Sequence, residues 1–335
     1  MIRIALIPSD WSLGLDTSAY TTSVAAVAAD GRLVRQERQL LPVPMGSRGL
    51  RPSEALFYHV KNLPAMLERV MDGLDRHRLV VVGASQTPRP TPDSYLPPFL
   101  AGMLAAQAVA LGRGVPLIHC THQEGHIRAG LWSAAWDPAD PFLALHISGG
   151  TTELLRVDRR TVPWSIDLVG GSDDLYAGQF VDRVGVALGL AFPAGPELDR
   201  LAESAAAPLA LPWSRPRSRD GRWWTSFSGP ESAARRALRE GAEPTALAKG
   251  VMESISRSLS ALVEAAAPPG HLLVVGGVAA NTHLRRVMTA RLQKNGWQIG
   301  FAAPEWSRDN AVGIALIAQE RFLADEEDEK NEHDS

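Results

Sequence analysis

Cysteine occurs once in 335 residues, lysine four times and tyrosine four times, and no run of about 20 apolar residues is present. The lone Cys120 excludes an internal disulfide and points to a reducing, cytoplasmic setting. It ends an apolar stretch (115–119), where a packed core thiol is its simplest role. Without a long apolar run there is no membrane-spanning helix. The first residues also lack the length and small-residue cleavage pattern of a signal peptide. The scarcity of lysine leaves arginine as nearly all of the 34 basic residues, and the net charge of −3 cannot draw a nucleic acid over long range. Apolar content of 45% and charged content of 21% are those of a globular chain with one large or two medium domains. The end of the chain, 324–335, holds seven acidic residues and Lys330. It is more negative than the whole, so the remainder is net basic, and a disordered, solvated tail is expected there.

The most informative segment is Thr121-His122-Gln123-Glu124-Gly125-His126. Histidines four apart on a helix leave the same face, about 5–6 Å apart at Cβ, and can share one metal ion. Such an ion needs a further ligand, usually a carboxylate from elsewhere in the chain. Two histidines on a surface helix can also be an accident of composition. A peptidase of the His-Glu-x-x-His type is disfavoured, because Glu124 is the second residue after His122 and turns to another side of the helix.

Apolar patterning predicts an α/β chain with mixed sheets. A β-meander is expected over 11–16, 23–29 and 32–39, with a tight turn at Asp30-Gly31. A helix over 53–74 carries an irregularity at Pro64, followed by a strand at 79–84, a helix at 98–111 and a strand at 115–119 that leads into the two-histidine helix. The second half repeats the scheme. Strands are predicted at 142–147, 152–157, 165–169, 272–275 and 298–302, and helices at 175–189, 196–206, 245–266, 280–294 and 309–323. The Asp/Pro-rich stretch near 136–141 suggests two lobes, 1–136 and 137–323, before the tail.

Each lobe opens with a strand, a turn of small and hydroxyl residues, and a second strand: Gly14-Leu15-Asp16-Thr17-Ser18 in one, Ile147-Ser148-Gly149-Gly150-Thr151 in the other. Backbone N–H groups in such turns form anion-binding concavities, which glycine leaves open to phosphate. A third glycine turn, Gly276-Gly277-Val278-Ala279-Ala280-Asn281, joins a strand to a helix N-terminus. Duplicated lobes with one phosphate turn apiece are how actin-like and sugar-kinase-like ATPases hold a nucleotide. Separately, 213–224 interleaves Arg215, Arg217, Arg219 and Arg222 with Trp213, Trp223 and Trp224. That pattern can hold phosphates and stack on bases, or it can be a solvated loop with its tryptophans tucked inward.

These blocks resemble the TsaD/Gcp family, the N6-threonylcarbamoyladenosine synthases of tRNA once called O-sialoglycoprotein endopeptidases. The resemblance extends from Gly14 to about Arg321. His122-x-x-Gly125-His126 looks like the family's metal signature and Ile147-Ser148-Gly149-Gly150 like its phosphate turn. Gly178 through Asp182, then Leu188-Gly189-Leu190 and Phe192 through Pro196 with Asp199, resemble the nucleotide segment. Ser226-Phe227-Ser228-Gly229, Gly276 through Asn281, and Arg308-Asp309-Asn310 match further blocks.

The resemblance implies a two-lobed actin-like ATPase (ASKHA) fold with one Fe or Zn ion on His122, His126 and Asp309. It implies an adenine nucleotide on Ile147, Ser148, Gly149, Gly150, Asp182, Gly195, Asp199, Gly277 and Asn281. The implied reaction moves a threonylcarbamoyl group from threonylcarbamoyl-AMP to an adenosine beside the anticodon of tRNA. The arginine–tryptophan segment Arg215 to Trp224 is the candidate surface for that tRNA, and a homodimer or heteromeric partner proteins are further candidates. The chain departs from the family in places. Thr17-Ser18-Ala19-Tyr20-Thr21-Thr22 lacks the family's Asp-Glu pair, and Pro52 through His59 lacks its arginine. Pro230-Glu231-Ser232 replaces Leu-Lys-Thr, Gln179 replaces a glutamate, and Thr151 replaces a histidine. A nucleotide- and metal-binding paralogue, regulatory or acting on another acceptor, is therefore the alternative reading.

Overall fold

The computed structural model describes residues 6–18, 20–42, 50–91 and 93–333; Ala19, one of the family departures, lies outside them. The chain divides into two compact units, Met1–Trp132 with Asp309–Ser335, and Ser133–Arg308.

The first unit is built on strands β1 (Trp11–Thr17), β2 (Thr21–Ala28), β3 (Leu33–Leu40), β4 (Leu79–Thr87) and β5 (Leu117–Thr121), in the order β3-β2-β1-β4-β5. The first three form the antiparallel meander, and β1, β4 and β5 run parallel. Every residue of β1 and β2 is buried, as small and apolar side chains covered on both faces require. Helix α1 (Pro52–Met71) starts with proline in its first turn and with Glu54 accepting from the Arg51 N–H at 3.0 Å. Its stripe Ala55, His59, Leu63, Met66 and Val70 faces the sheet, and it continues through Pro64. Helices α2 (Phe99–Arg113) and α3 (His122–Ser133) follow.

The final helix, α9 (Val312–His333), corrects two boundaries. Residues 309–323 were expected to close the second lobe, yet α9 belongs to the first unit and packs on β1, β4, β2 and β5. Its register is fixed by small residues: a Cβ on Gly83 would stand 2.7 Å from Ala318 Cβ, and one on Gly14 would strike the Ala311 carbonyl. The acidic segment 324–333, expected to be disordered, continues the same helix. Glutamate is a good helix former, and a helix already nucleated on the core is cheap to extend.

The second unit repeats the plan. Strands β6 (Phe142–Ile147), β7 (Thr152–Asp158) and β8 (Ser165–Ser172) form an antiparallel meander. Further along the chain lie β9 (Arg217–Arg219), β10 (Arg222–Thr225), β11 (His271–Val275) and β12 (Gln298–Phe301), and the sheet order is β12-β11-β6-β7-β8-β10-β9. Five of these strands reproduce the first sheet's order and directions, and β9-β10 is an addition at the edge. Helices α4 (Ala177–Ala187), α5 (Gly195–Ser204), α6 (Ser228–Arg239), α7 (Pro244–Ala266) and α8 (Thr282–Lys294) cover it, with Leu145, Phe180, Leu198, Leu247, Ile255 and Leu262 in the core.

The β9-β10 hairpin occupies a segment read as a loop. Its two-residue turn places Asp220 at φ 53° and Gly221 at φ 72°, the turn that matches strand twist. Helix α6 was not anticipated either, because Ser228-Gly229-Pro230 reads as a turn. It starts there because Asp174 accepts hydrogen bonds from the N–H groups of Phe227 (2.9 Å) and Ser228 (3.2 Å).

Candidate metal centre and nucleotide turns

Strand β5 ends at Thr121 and α3 begins on the next residue, which sets the direction of both histidines. Glu124 accepts from the Thr121 N–H at 2.7 Å, and its own N–H donates to the Thr121 hydroxyl at 3.2 Å, a reciprocal cap. The Glu124 carboxylate is fully buried and pairs with the buried Arg321 guanidinium of α9. It supports the helix and is not placed to act as a general base. On another face of α3 the rings of His122 and His126 lie 4.4 Å apart between centroids, with their Nε2 atoms 3.1 Å apart. Asp309 comes from the other end of the chain. A Cβ on Gly313 would strike the Gly125 carbonyl, so α3 and the start of α9 cross with no room for a side chain. That crossing brings Asp309 Oδ1 to 3.0 Å from His126 Nε2 and 3.6 Å from His122 Nε2. The three potential ligand atoms all lie within 4.8 Å of one another.

The surroundings suit a cation. Asp16, buried at the end of β1, stands 3.0 Å from His122 Nδ1 and accepts from Ser85 Oγ at 2.6 Å. A carboxylate on Nδ1 fixes the proton there and leaves Nε2 as the donor toward the cluster. Burial disfavours the His122 cation, but Asp16 and then Asp309 outweigh it and push the imidazole up to about 9. Burial likewise opposes the Asp309 carboxylate, yet the His126 hydrogen bond and the two imidazoles hold it well below the usual range. The Ser18 hydroxyl donates to Asp309 Oδ2 at 2.9 Å. His59, fully buried, lies 2.7 Å from the Ser18 carbonyl through Nε2 and 2.9 Å from Thr22 Oγ1 through Nδ1. Two imidazole nitrogens and one carboxylate oxygen fit zinc or ferrous iron with positions left open. Asp16, Ser18 and His59 were not singled out as site residues. The one sequence signal for Asp16 is a carboxylate closing an otherwise apolar strand.

The second unit gathers the predicted nucleotide residues in two linked groups. In the β6–β7 turn, the Ser148 N–H donates to the Thr151 carbonyl at 2.8 Å and the Gly150 N–H to Ser148 Oγ at 3.2 Å. Helix α4 docks onto this turn through Gly178, whose N–H donates to the Ser148 carbonyl at 3.2 Å. One turn later, Asp182 accepts from the Ala194 N–H at 2.9 Å, and its other oxygen faces Gly149. Burial raises the Asp182 carboxyl above its ordinary value. Ile147 is a core side chain with no exposed surface, so only its backbone borders the turn. Gln179 accepts from the Tyr176 N–H at 3.3 Å and so caps the start of α4.

The other group is Asp199 with Asn281. Asn281 Nδ2 donates to Asp199 Oδ1 at 2.6 Å, and Asn281 Oδ1 caps α8 by accepting from the Leu284 N–H at 2.7 Å. Burial raises the Asp199 carboxyl, with the Thr282 N–H opposing it. The two groups are linked where Gly276, at φ 99°, passes against the Ile147 carbonyl; any side chain there would collide with it. Gly277 is open on its Cβ side, and Gly195 opens α5 next to Val181. The Ser226–Gly229 block has a plainer task. Ser226, Phe227 and Ser228 all donate to Asp174, and although burial works against the charge these bonds hold its carboxylate well below the usual range.

Repeated sheets of this order, one followed by the Ser148–Thr151 turn and the other beside a His-His-Asp cluster, define a two-unit α/β protein built by repetition of one plan. Solved structures agree on the fold. The (R)-2-hydroxyglutaryl-CoA dehydratase component A of Acidaminococcus fermentans superposes with a TM-score of 0.56 at 14% identity, covering 93% of this chain and 99% of that one. The activator of the 2-hydroxyisocaproyl-CoA dehydratase from Clostridium difficile, solved with bound ADPNP, gives 0.54 at 16% identity over 95% and 97%. This is the actin-like ATPase (ASKHA) fold.

The sequence comparisons narrow the class. The family model TsaD, tRNA N6-adenosine threonylcarbamoyltransferase, matches residues 36–316. Proteins of that name from Thermus thermophilus (35% identity over 93% of both chains) and Methanopyrus kandleri (31%, over 95% of this chain and 90% of that one) align along nearly their whole length. The chain belongs to the TsaD family.

Proposed function

We propose that this protein is a tRNA N6-adenosine threonylcarbamoyltransferase. The observation that carries the reading is the convergence of His122, His126 and Asp309 within a chain that aligns over 93% of its length with a protein of that name. In the reaction, the adenosine N6 attacks the carbamoyl carbon of threonylcarbamoyl-AMP. The bond from that carbon to the phosphate oxygen breaks, AMP leaves, and the amine proton passes to solvent or phosphate.

His122, His126 and Asp309 would hold one zinc or iron ion, which supplies Lewis acidity and a positive charge for substrate oxygens. Asp16 keeps the His122 tautomer and Ser18 keeps the Asp309 rotamer. In the second unit, the turn Ser148-Gly149-Gly150 lies against phosphate and Asp182 and Asp199 meet ribose hydroxyls. Gly195, Gly277 and Asn281 border the nucleoside. The hydroxyl–imidazole pair beside the cluster, Thr22 with His59, is fully buried and out of a substrate's reach, which favours direct attack by the amine over a covalent enzyme intermediate. A peptidase reading finds no support, because Glu124 is committed to Arg321. Among the described residues no helix is long and apolar enough to cross a membrane.

The test is direct. Purified protein, loaded with zinc or iron, is given threonylcarbamoyl-AMP and an unmodified tRNA transcript, and nucleosides are read by mass spectrometry after digestion. Threonylcarbamoyladenosine should form in the parent and fall away in His122→Ala/His126→Ala. Nucleotide binding without product, with partner subunits supplied, would transfer the reading to a paralogue with another acceptor. Assembly with itself or with such subunits is read by light scattering on a sizing column.

A further inference from the structure

A groove of about 590 Å³ opens in the second unit along α7 and α8, lined by residues the site above does not use. Trp213 borders it, and the guanidinium carbons of Arg215 and Arg291 stand 5.8 and 6.0 Å from its ring centroid. The ring thus fixes two cations at one end. The carboxylates near it are already engaged. Glu253 accepts from Arg257 Nε at 2.7 Å and lies 3.0 Å from His283 Nε2, and Glu264 pairs with Arg291 at 2.7 Å. Arg286 and Lys294 are exposed and have no carboxylate partner among the described residues; Arg286 Nη2 lies 3.1 Å from His283 Nδ1, which leaves its charge unneutralised. Basic charge is therefore in excess in a chain whose total is −3.

We propose that this groove binds the sugar-phosphate backbone of RNA. Arg286 and Lys294 are eight residues apart on one helix, about 12 Å along its axis, too far to share one phosphate and suited to two separate ones along a strand. The apolar wall is Val287, Ala290 and the Trp213 ring, which already carries two guanidinium groups, so recognition rests on repeating charge. Arg215 leads from the groove into the hairpin arginines Arg217, Arg219 and Arg222, which extends the basic track. The proposal rests on the transferase reading for the identity of the RNA, a tRNA, and it is independent of the metal and nucleotide residues.

The experiment compares the parent with Arg286→Glu/Lys294→Glu and with the milder alanine pair, using a labelled unmodified tRNA transcript over a salt series. Both side chains are exposed and only the Arg286–His283 hydrogen bond is given up, so Tm should fall by no more than about 6 °C. Charge reversal should weaken binding by about 10-fold or more near ~0.1 M salt and flatten the log–log salt slope by about 1–2, with alanine intermediate. In turnover, KM for tRNA should rise while kcat at saturating tRNA is kept. Unchanged affinity and slope in both variants overturn the groove, even where the parent makes product. Lost tRNA binding in a protein that makes no product upholds the groove and removes the transferase reading. A parent that binds poly-glutamate but no tRNA at low salt overturns the proposal in favour of an acidic protein partner.

Discussion

Replacing Gly178 with alanine tests whether α4 and the phosphate-type turn touch as closely as described. The added Cβ would stand 2.5 Å from the Ser148 carbonyl oxygen and 2.6 Å from the Gly149 nitrogen, where ordinary contact begins near 3.4 Å. Both neighbours are backbone, so helix and turn must separate by about 0.8–0.9 Å. The Gly178–Ser148 hydrogen bond, already 3.2 Å, would then be lost. Overpacking of this kind costs about 1–3 kcal/mol and the bond about 0.5–1.5 kcal/mol, while alanine's better helix propensity returns roughly 1 kcal/mol. Destabilisation wins by about 0.5–3.5 kcal/mol, lowering Tm by about 1–14 °C for a unit of this size. Nucleotide affinity should fall at least about 10-fold, because the Ser148–Gly150 amides move by nearly the distance that can cost 10²-fold in a positioned site. Gly150→Ala is the control, with nothing within 4 Å of its new Cβ. It should keep Tm while weakening ADP and ADPNP binding, since the methyl group stands where phosphate would approach. Scanning fluorimetry and titration calorimetry read both quantities. An unchanged Tm and unchanged affinity in Gly178→Ala would refute the contact; unchanged affinity in Gly150→Ala would place phosphate elsewhere.

Asp16→Asn keeps the size of the side chain beside His122 but removes its charge. Metal affinity, measured by chelator competition, should drop about 10- to 100-fold, and no change would mean that Asp16 does not orient the ligand. Arg321→Ala leaves the Glu124 carboxylate buried without its guanidinium and should cost about 3–5 kcal/mol in urea unfolding; a loss below ~1 kcal/mol would contradict the pairing. Burial, outweighing the Ser18 carbonyl and Asp16, lowers the His59 pKa from its ordinary 6.5. The unfolded chain therefore takes up a proton that the folded one refuses, and stability is lost as pH falls below that ordinary value. His122, shifted the other way, adds stability below 6.5 that fades as pH rises through about 9, so the His59 contribution is read as a difference. Between about pH 7.5 and 5.5, His59→Gln should lose less stability than the parent, and parallel curves would count against the argument.

What could be read in advance was local. The meander strands, the four-residue histidine spacing and the glycine turns are short-range patterns, and each appears within a few residues of its expected limits. Asp309 became a candidate ligand through the family motif alone, because nothing near residue 309 points to residues 122–126 until Gly125 and Gly313 are seen to cross. Asp16, Ser18 and His59 stayed hidden for the same reason: a buried carboxylate 106 residues from its histidine has no periodicity. The boundary at 137–323 failed on a long-range fact as well. Residues 309–323 carry an ordinary helix pattern, and only the small-residue seam at Gly14, Gly83 and Ala318 decides which sheet receives them. That return of the chain matters for chemistry. It lets the segment just before α9 supply Asp309 to the histidines, and α9 itself supply Arg321 to Glu124 twelve residues later. The same helix that completes the first unit's core thereby fixes α3 at two points. A substitution that loosened the seam should therefore release the cluster's third ligand before it unfolded the sheet.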